Sequence, residues 1–280
     1  MYKIVTKKEL APKIKLLEVH APAIAEKAKA GQFVIVIVDE KGERIPLTIV
    51  DWNQQKGAIT LIFLEVGVST EKLGALEVND AILNIAGPLG NPSETRNYGT
   101  VCVVGGGVGV AAAYPIARAL KEAGNKVISI IGAKTSFLLI LEDEMRKVSD
   151  ELYISTDDGT KGQKGFVSDV LKALIQKGYT LDLAYAIGPT VMMRAVAETT
   201  RPYGIKTIAS LNPVMVDGMG MCGACRVSIG GKTKFACVEG PEFDAHQVDF
   251  GELMKRQMAL INEEKLAAQH LHDSRGCCHE

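Results

Sequence analysis

From Asp217 to Cys237 the chain reads DGMGMCGACRVSIGGKTKFAC, and no other stretch limits the possible folds as much. Two residues separate Cys222 from Cys225, and Cys237 follows after eleven more. That is metal spacing. An iron–sulfur cluster needs four anionic ligands, usually thiolates. Plant-type spacing sets a further ligand four intervening residues before Cys222, where this chain has Asp217. Gly218, Gly220, Gly223, Gly230 and Gly231 let the loop fold tightly and turn backbone N–H groups toward sulfur. The pattern predicts a [2Fe–2S] site held by Asp217, Cys222, Cys225 and Cys237. Other readings share these residues: small core cysteines, a disulfide with a spare thiol, or zinc, which accepts sulfur and oxygen together. Zinc motifs usually bring a second close pair, which is missing here.

A chain of 280 residues predicts about two domains. Its 32 basic and 33 acidic residues balance, which argues against a nucleic acid or an anionic membrane surface as partner. No uninterrupted apolar stretch is long enough to span a bilayer, and the N-terminal MYKIVTKKEL lacks a signal-peptide apolar run. Six cysteines, three at metal spacing, suit a reducing compartment, so the cytoplasm is the expected location.

Residues 1–98 read as a β domain. Strands are expected over 13–20, 32–38, 45–51, 58–66 and 81–85, with a short helix over 69–76. Their spacing predicts a small antiparallel barrel, ended by GPLG at 87–90. The segment RIPLT sets Arg44, Pro46, Leu47 and Thr48 in a row that can face a flavin, with Thr48 toward the ring and Arg44 toward phosphate. Gly67, Ser69 and Thr70 open the short helix, whose free N–H groups can hold a pyrophosphate. Equally, Arg44 can be a solvated charge and Ser69 a plain N-cap.

Residues 99–211 alternate strand and helix, predicting a five-stranded parallel sheet that binds a nucleotide. Strands are expected over 100–104, 127–131, 152–156, 183–187 and 206–211, with helices through 123 and over 137–148, 165–177 and 191–200. Gly106, Gly107, Val108 and Gly109 form the first turn. The second strand ends in GAKT without the acid that commonly binds a ribose, so the nucleotide must be held differently. Asp157, Asp158, Gly188 and Pro189 lie at strand carboxyl ends, where ligands of open sheets bind. Asp157 and Asp158 also suit a simple turn before Gly159. Residues 212–249 form the cluster subdomain. Residues 250–280 are a tail, with one helix over 250–272 belonging to neither core, and a terminus carrying Cys277, Cys278 and His279.

RIPLT, GPLGNP, STDDGTKGQKGF, AIGPTVMM and GMCGACRV together resemble the ferredoxin–NADP reductase superfamily. They are most similar to the electron-transfer subunits of dihydroorotate dehydrogenase and their relatives. The orotate-linked subunit has cysteine where this chain has Asp217. SLNPVMVDGMGMCGACRV instead resembles the small subunits of NADH-dependent reduced ferredoxin:NADP oxidoreductases, also named sulfide dehydrogenase small subunits. The resemblance implies FAD on the barrel, with Phe63, Leu64 and Val66 leading into the pyrophosphate turn. It implies NAD(H) across the sheet edge, with Met192 beside Gly188 and Pro189. Ile187 stands where the family often has cysteine, so no thiol acts there, and Phe63 and Leu64 stand where it often has an aromatic residue and arginine. Hydride would pass between NAD(H) and FAD without acid–base residues, and single electrons would leave through the cluster. The implied partner is a larger flavoprotein with [4Fe–4S] clusters that binds NADP(H) and works with ferredoxin in electron bifurcation. An orotate-linked or a sulfide/polysulfide oxidoreductase subunit is the alternative, and a ferredoxin-like carrier or non-turnover flavoprotein is a further class. NADH is expected over NADPH, because Asp157 and Asp158 would repel a 2′-phosphate.

Overall fold

The computed structural model describes residues 1–276, with side chains through 270. Cys277, Cys278 and His279 lie outside the described residues. The first unit contains β1 (Tyr2–Ala11), β2 (Ile14–His20), α1 (Pro22–Ala25), β3 (Phe33–Ile37), β4 (Arg44–Asn53), β5 (Ala58–Leu64), α2 (Val68–Ala75), β6 (Ala81–Ile82) and β7 (Asn84–Leu89). The strands pair antiparallel in the order β6-β1-β2-β5-β4-β3-β7. Only Leu83 separates β6 at one edge from β7 at the other, so the sheet curls into a nearly closed barrel. Ile4, Leu17, Ile49, Leu61 and Leu73 fill its interior.

Two expectations change here. β1 was not foreseen, because KIVTKKEL alternates weakly and only Ile4 and Ala11 of the strand are fully buried. The expected strand over 81–85 is two strands on opposite edges. Gly87, Pro88 and Leu89 belong to β7 itself, so the run that ends the barrel is the close of its last strand.

The second unit contains β8 (Thr100–Gly106), α3 (Gly109–Glu122), β9 (Lys126–Ala133), α4 (Glu142–Lys147), β10 (Glu151–Thr156), β11 (Gln163–Lys164), α5 (Val167–Gln176), β12 (Leu183–Ile187), α6 (Thr190–Thr200) and β13 (Thr207–Ser210). The five expected strands lie parallel in the order β10-β9-β8-β12-β13, with short β11 added at one edge. From β8 the chain builds outward through β9 and β10, then returns to β12 on the other side. The strand order therefore reverses between β8 and β12, which opens a crevice at their carboxyl ends. The helix expected over 137–148 is shorter, because Leu141 at φ +56° is left-handed and α4 starts only after it.

The remaining elements are β14 (Arg226–Ile229), β15 (Lys232–Phe235), α7 (Ala236–Glu239), β16 (Glu242–Asp244), α8 (Phe250–Gln257) and α9 (Ile261–Gly276). β14 and β15 form a hairpin, and β16 joins the large sheet antiparallel to β13. The tail is two helices and not one. α8 buries Phe250 and Leu253 in the same apolar core as Val196, Val227 and Cys237, so it belongs to that core, contrary to expectation. α9 reaches α2 of the barrel.

Candidate functional site

On the barrel, Arg44 is exposed at the start of β4, and Pro46, Leu47 and Thr48 are half-buried. Pro46 pairs with Ile35 and Thr48 with Phe33 of β3. At the neighbouring turn, Ser69 is buried and donates its hydroxyl to Glu43 Oε2 at 2.8 Å. A carboxylate thus already rests at the start of α2, where the helix dipole and free N–H groups favour an anion. Thr70 Oγ1 accepts from Val66 N and Gly67 N, at 3.0 and 3.1 Å, and donates to Gly67 O. Its hydroxyl closes the turn. Val66 is 76% exposed, Leu64 is half-buried, and a Cβ added to Gly67 would meet no atom. Phe63 departs from expectation: it is enclosed in the barrel core and presents no surface to a cofactor. The strand's alternation points it inward while Leu64 points out.

The sheet crevice brings together Gly106, Gly107, Val108, Gly109, Gly188, Pro189 and Met192. A Cβ on Gly109 would lie 2.6 Å from Gly188 Cα and from the Ile187 carbonyl oxygen. The two loops therefore meet backbone to backbone, a contact only glycine permits. Met192 Sδ and Pro189 pack against Gly106. Gly107 donates to Gly132 O at 2.8 Å, joining the turn to the end of β9. Asp157 N and Asp158 N donate to Ala133 O and Lys134 O, which brings the acidic loop to the same edge. Asp158 Oδ1 accepts from Thr160 N and Thr160 Oγ1, at 3.0 and 2.7 Å. These bonds hold its carboxyl below the usual range, the backbone N–H first. Asp158 thus serves its turn. The expected repulsion of a 2′-phosphate is also weakened, because Lys134 stands in the same loops, exposed and in no ion pair among the described residues.

In the cysteine loop, Asp217 Oδ1 accepts from Met219 N at 2.9 Å, and Oδ2 from Met221 N and Cys222 N at 3.1 and 2.8 Å. The Met219 N–H leads in holding its carboxyl below the usual range. Backbone N–H groups use three of its about four lone-pair positions. Cys225 and Cys237 are buried with their Sγ atoms 3.2 Å apart, and burial, then Cys225, pushes the Cys237 thiol up to about 12. Cys222 is exposed at the rim. The set therefore stands in two halves, a buried thiol pair and a rim carboxylate with its cysteine, and among the described residues no three such side chains make a preformed metal site. The donor chemistry nevertheless fits a cluster: one carboxylate and two thiols on the loop before β14 and a third thiol in α7, since a bound metal strips thiol protons outright.

That loop lies on the barrel. A Cβ on Gly218 would come within 2.7 Å of Ile35 and 2.8 Å of Leu89. Sequence reasoning missed these two contacts and also Arg256, which donates to the Ala224 carbonyl between Cys222 and Cys225 at 3.0 Å. No local signal marks Arg256, which lies far along the chain in α8.

The profile of the iron–sulfur cluster binding domain of dihydroorotate dehydrogenase B matches residues 212–249. A dihydroorotate dehydrogenase B (NAD(+)) electron transfer subunit homolog from Thermotoga maritima is 46% identical, over 92% of this chain and 93% of that protein. The chain belongs to the dihydroorotate dehydrogenase B electron-transfer subunit family. The subunit so named from Bacillus caldolyticus is 34% identical, over 80% of this chain and 88% of that one. A chain solved in a study of flavin-based electron bifurcation, from the NADH-dependent reduced ferredoxin–NADP oxidoreductase, superposes with a TM-score of 0.92 at 44% identity. It covers 97% of this chain and 98% of its own. Among the described residues no helix is long and apolar enough to cross a membrane.

Proposed function

We propose that this family member is the flavin and iron–sulfur electron-transfer subunit of a heteromeric oxidoreductase, of the NADH-dependent ferredoxin:NADP oxidoreductase type. One observation carries the reading: Gly218 of the cysteine loop packs on Ile35, and Ile35 pairs with Pro46 of the RIPLT segment. The loop that would hold [2Fe–2S] thus adjoins the strand that would hold FAD. When bound, FAD exchanges a hydride with NAD(H) and single electrons with the cluster. The chain's own residues do the positioning. Arg44 and the start of α2 would hold the FAD phosphates, and Thr48 and Pro46 would flank the ring. The touching loops at Gly109 and Gly188, with Pro189 and Met192, would seat the nicotinamide. Asp217, Cys222, Cys225 and Cys237 would ligate iron. Hydride delivery itself would need no acid–base pair, and the proton left on the flavin as its electrons depart singly would pass to solvent.

Electrons would leave to a larger flavoprotein subunit with [4Fe–4S] clusters that binds NADP(H) and ferredoxin, in the cytoplasm. The solved relative is named for NADH, ferredoxin and NADP, which supports a partner that handles the last two. The relatives named for dihydroorotate dehydrogenase B favour an orotate-linked partner instead. Purification of the native complex and identification of its second subunit separates the two. The isolated chain is expected to contain one FAD and about two iron and two acid-labile sulfide, and NADH is expected to bleach its flavin anaerobically. Zinc in place of iron, or a flavin inert to NADH, sinks this reading.

A further inference from the structure

The last turn of α8 touches both proposed cofactor loops through consecutive residues. Gln257 reaches the nucleotide side. Its Nε2 donates to the Asn212 carbonyl oxygen and to Asn212 Oδ1, at 2.8 and 3.1 Å. The Thr190 hydroxyl lies 2.8 Å from Gln257 Oε1 and 3.1 Å from Asn212 Oδ1. Thr190 is buried, opens α6 and directly follows Gly188 and Pro189. Arg256 faces the other way and donates Nη2 to the Ala224 carbonyl, inside the Cys222–Cys225 segment.

The helix bearing both residues is firmly held. Asp249 caps it by accepting from Glu252 N at 2.8 Å, and Phe250 and Leu253 are buried against α6 and β14. A helix anchored this way forms a rigid, contiguous link between the two loops. Arg256 is half-buried, which preserves its electrostatic reach better than full exposure does.

We propose that the end of α8 couples the two sites: Gln257 senses occupancy of the loop at Thr190, and Arg256 transmits it to the iron–sulfur loop as a change in reduction potential. The inference rests on the electron-transfer reading above. A guanidinium beside the cysteine loop favours the reduced, more negative centre, so it raises the potential. Arg256 and Gln257 are positioning residues, since neither is a proposed ligand of cofactor or metal. A second guanidinium, Arg226, donates to Gly223 O at 3.1 Å but is exposed, so solvent screens it more.

The test is an EPR-monitored redox titration of the purified complex, with and without the redox-inert analogue tetrahydro-NAD. In the wild type the analogue is expected to shift the midpoint. Gln257→Ala is expected to keep the analogue-free midpoint and lose most of that shift. Arg256→Gln is expected to lower the midpoint by about 59 mV, a tenfold change in a one-electron equilibrium. Arg256→Lys restores the charge and most of the midpoint, and Arg226→Gln moves it less than Arg256→Gln does. If Arg256→Gln fails to retain its cluster, the wild-type shift and Gln257→Ala still decide. A wild-type midpoint indifferent to the analogue, or a full shift in Gln257→Ala, overturns the coupling. Absence of a [2Fe–2S] signal in the wild type instead overturns the underlying reading.

Discussion

Asp217 has an observed role and a proposed one, and the two can be pulled apart. Its three accepted N–H bonds fold the loop, and the proposed role is to ligate iron through the same carboxylate. Asp217→Ala removes both, so cluster content is expected to fall severalfold by iron analysis. Asp217→Cys replaces a hard donor with a softer, more electron-donating one, which stabilises the oxidised cluster. The variant is expected to assemble and to titrate at a lower potential. An unchanged EPR signal and potential in Asp217→Cys, with a full cluster in Asp217→Ala, would show that Asp217 is not a ligand. Glu242 offers a second single-residue test. It is only half-buried as a residue, but its carboxyl is turned inward, 2.5 Å from Ser93 Oγ. Burial pushes this carboxyl up from 4.5 to about 7, and the Ser93 hydroxyl opposes that rise. The folded state therefore holds the proton more tightly than the unfolded chain. The resulting stability is full below about pH 4.5 and is lost as pH rises through about 7. Glu242→Gln is expected to flatten the fall in melting temperature between pH 5 and pH 8. Parallel pH profiles in both proteins would refute the assignment.

Two glycines let whole elements approach, each at a different cofactor loop. Gly218 has φ +74° and faces Ile35 and Leu89 of β3 and β7. Gly109, at the start of α3, faces the backbone of the loop after β12. An added methyl must push packed neighbours away in either place, at a cost of about 1–3 kcal/mol. Gly218→Ala is expected to lower iron content while leaving FAD content and flavin bleaching by NADH intact. Gly109→Ala is expected to do the reverse, raising the NADH concentration needed for half-bleaching about tenfold or more. If both variants lose the same property, the two loops do not serve separate groups.

Across the whole molecule, hydride exchange requires the barrel and the sheet to keep a fixed relation. Arg118 of α3 helps to fix it. Its Nη1 donates to Asp51 Oδ1 of β4 at 2.8 Å, and its guanidinium lies 5.2 and 5.3 Å from the Trp52 and Tyr114 rings. A half-exposed ion pair contributes about 0–1 kcal/mol, and a ring contact roughly as much again. Arg118→Ala is therefore expected to lower the melting midpoint by a few degrees. Flavin reduction by NADH should slow at unchanged FAD content. A normal rate would mean that other contacts hold the two units. One such contact is the linker, where Asn91 N donates at 2.7 Å to Gly240 O, just before β16 of the large sheet.

The order of barrel, parallel sheet and cysteine loop was legible in the sequence because each rests on local pattern. Strand β12 (Leu183–Ile187) is a continuous apolar run, and the cysteine spacing and glycine turns are short-range chemistry. Local pattern failed where burial is sparse or a backbone turn intervenes, as in β1, at Leu141, and between α8 and α9. It also placed Phe63 near a ligand, although strand alternation in the folded barrel turns that ring inward. Only the tertiary structure set Gly218 on Ile35, Gly109 on Gly188, and Arg256 and Gln257 on two loops far from them in the chain. Those contacts arise where elements distant in the chain pack together, and composition and spacing along one strand or helix carry no record of which neighbour will lie against it.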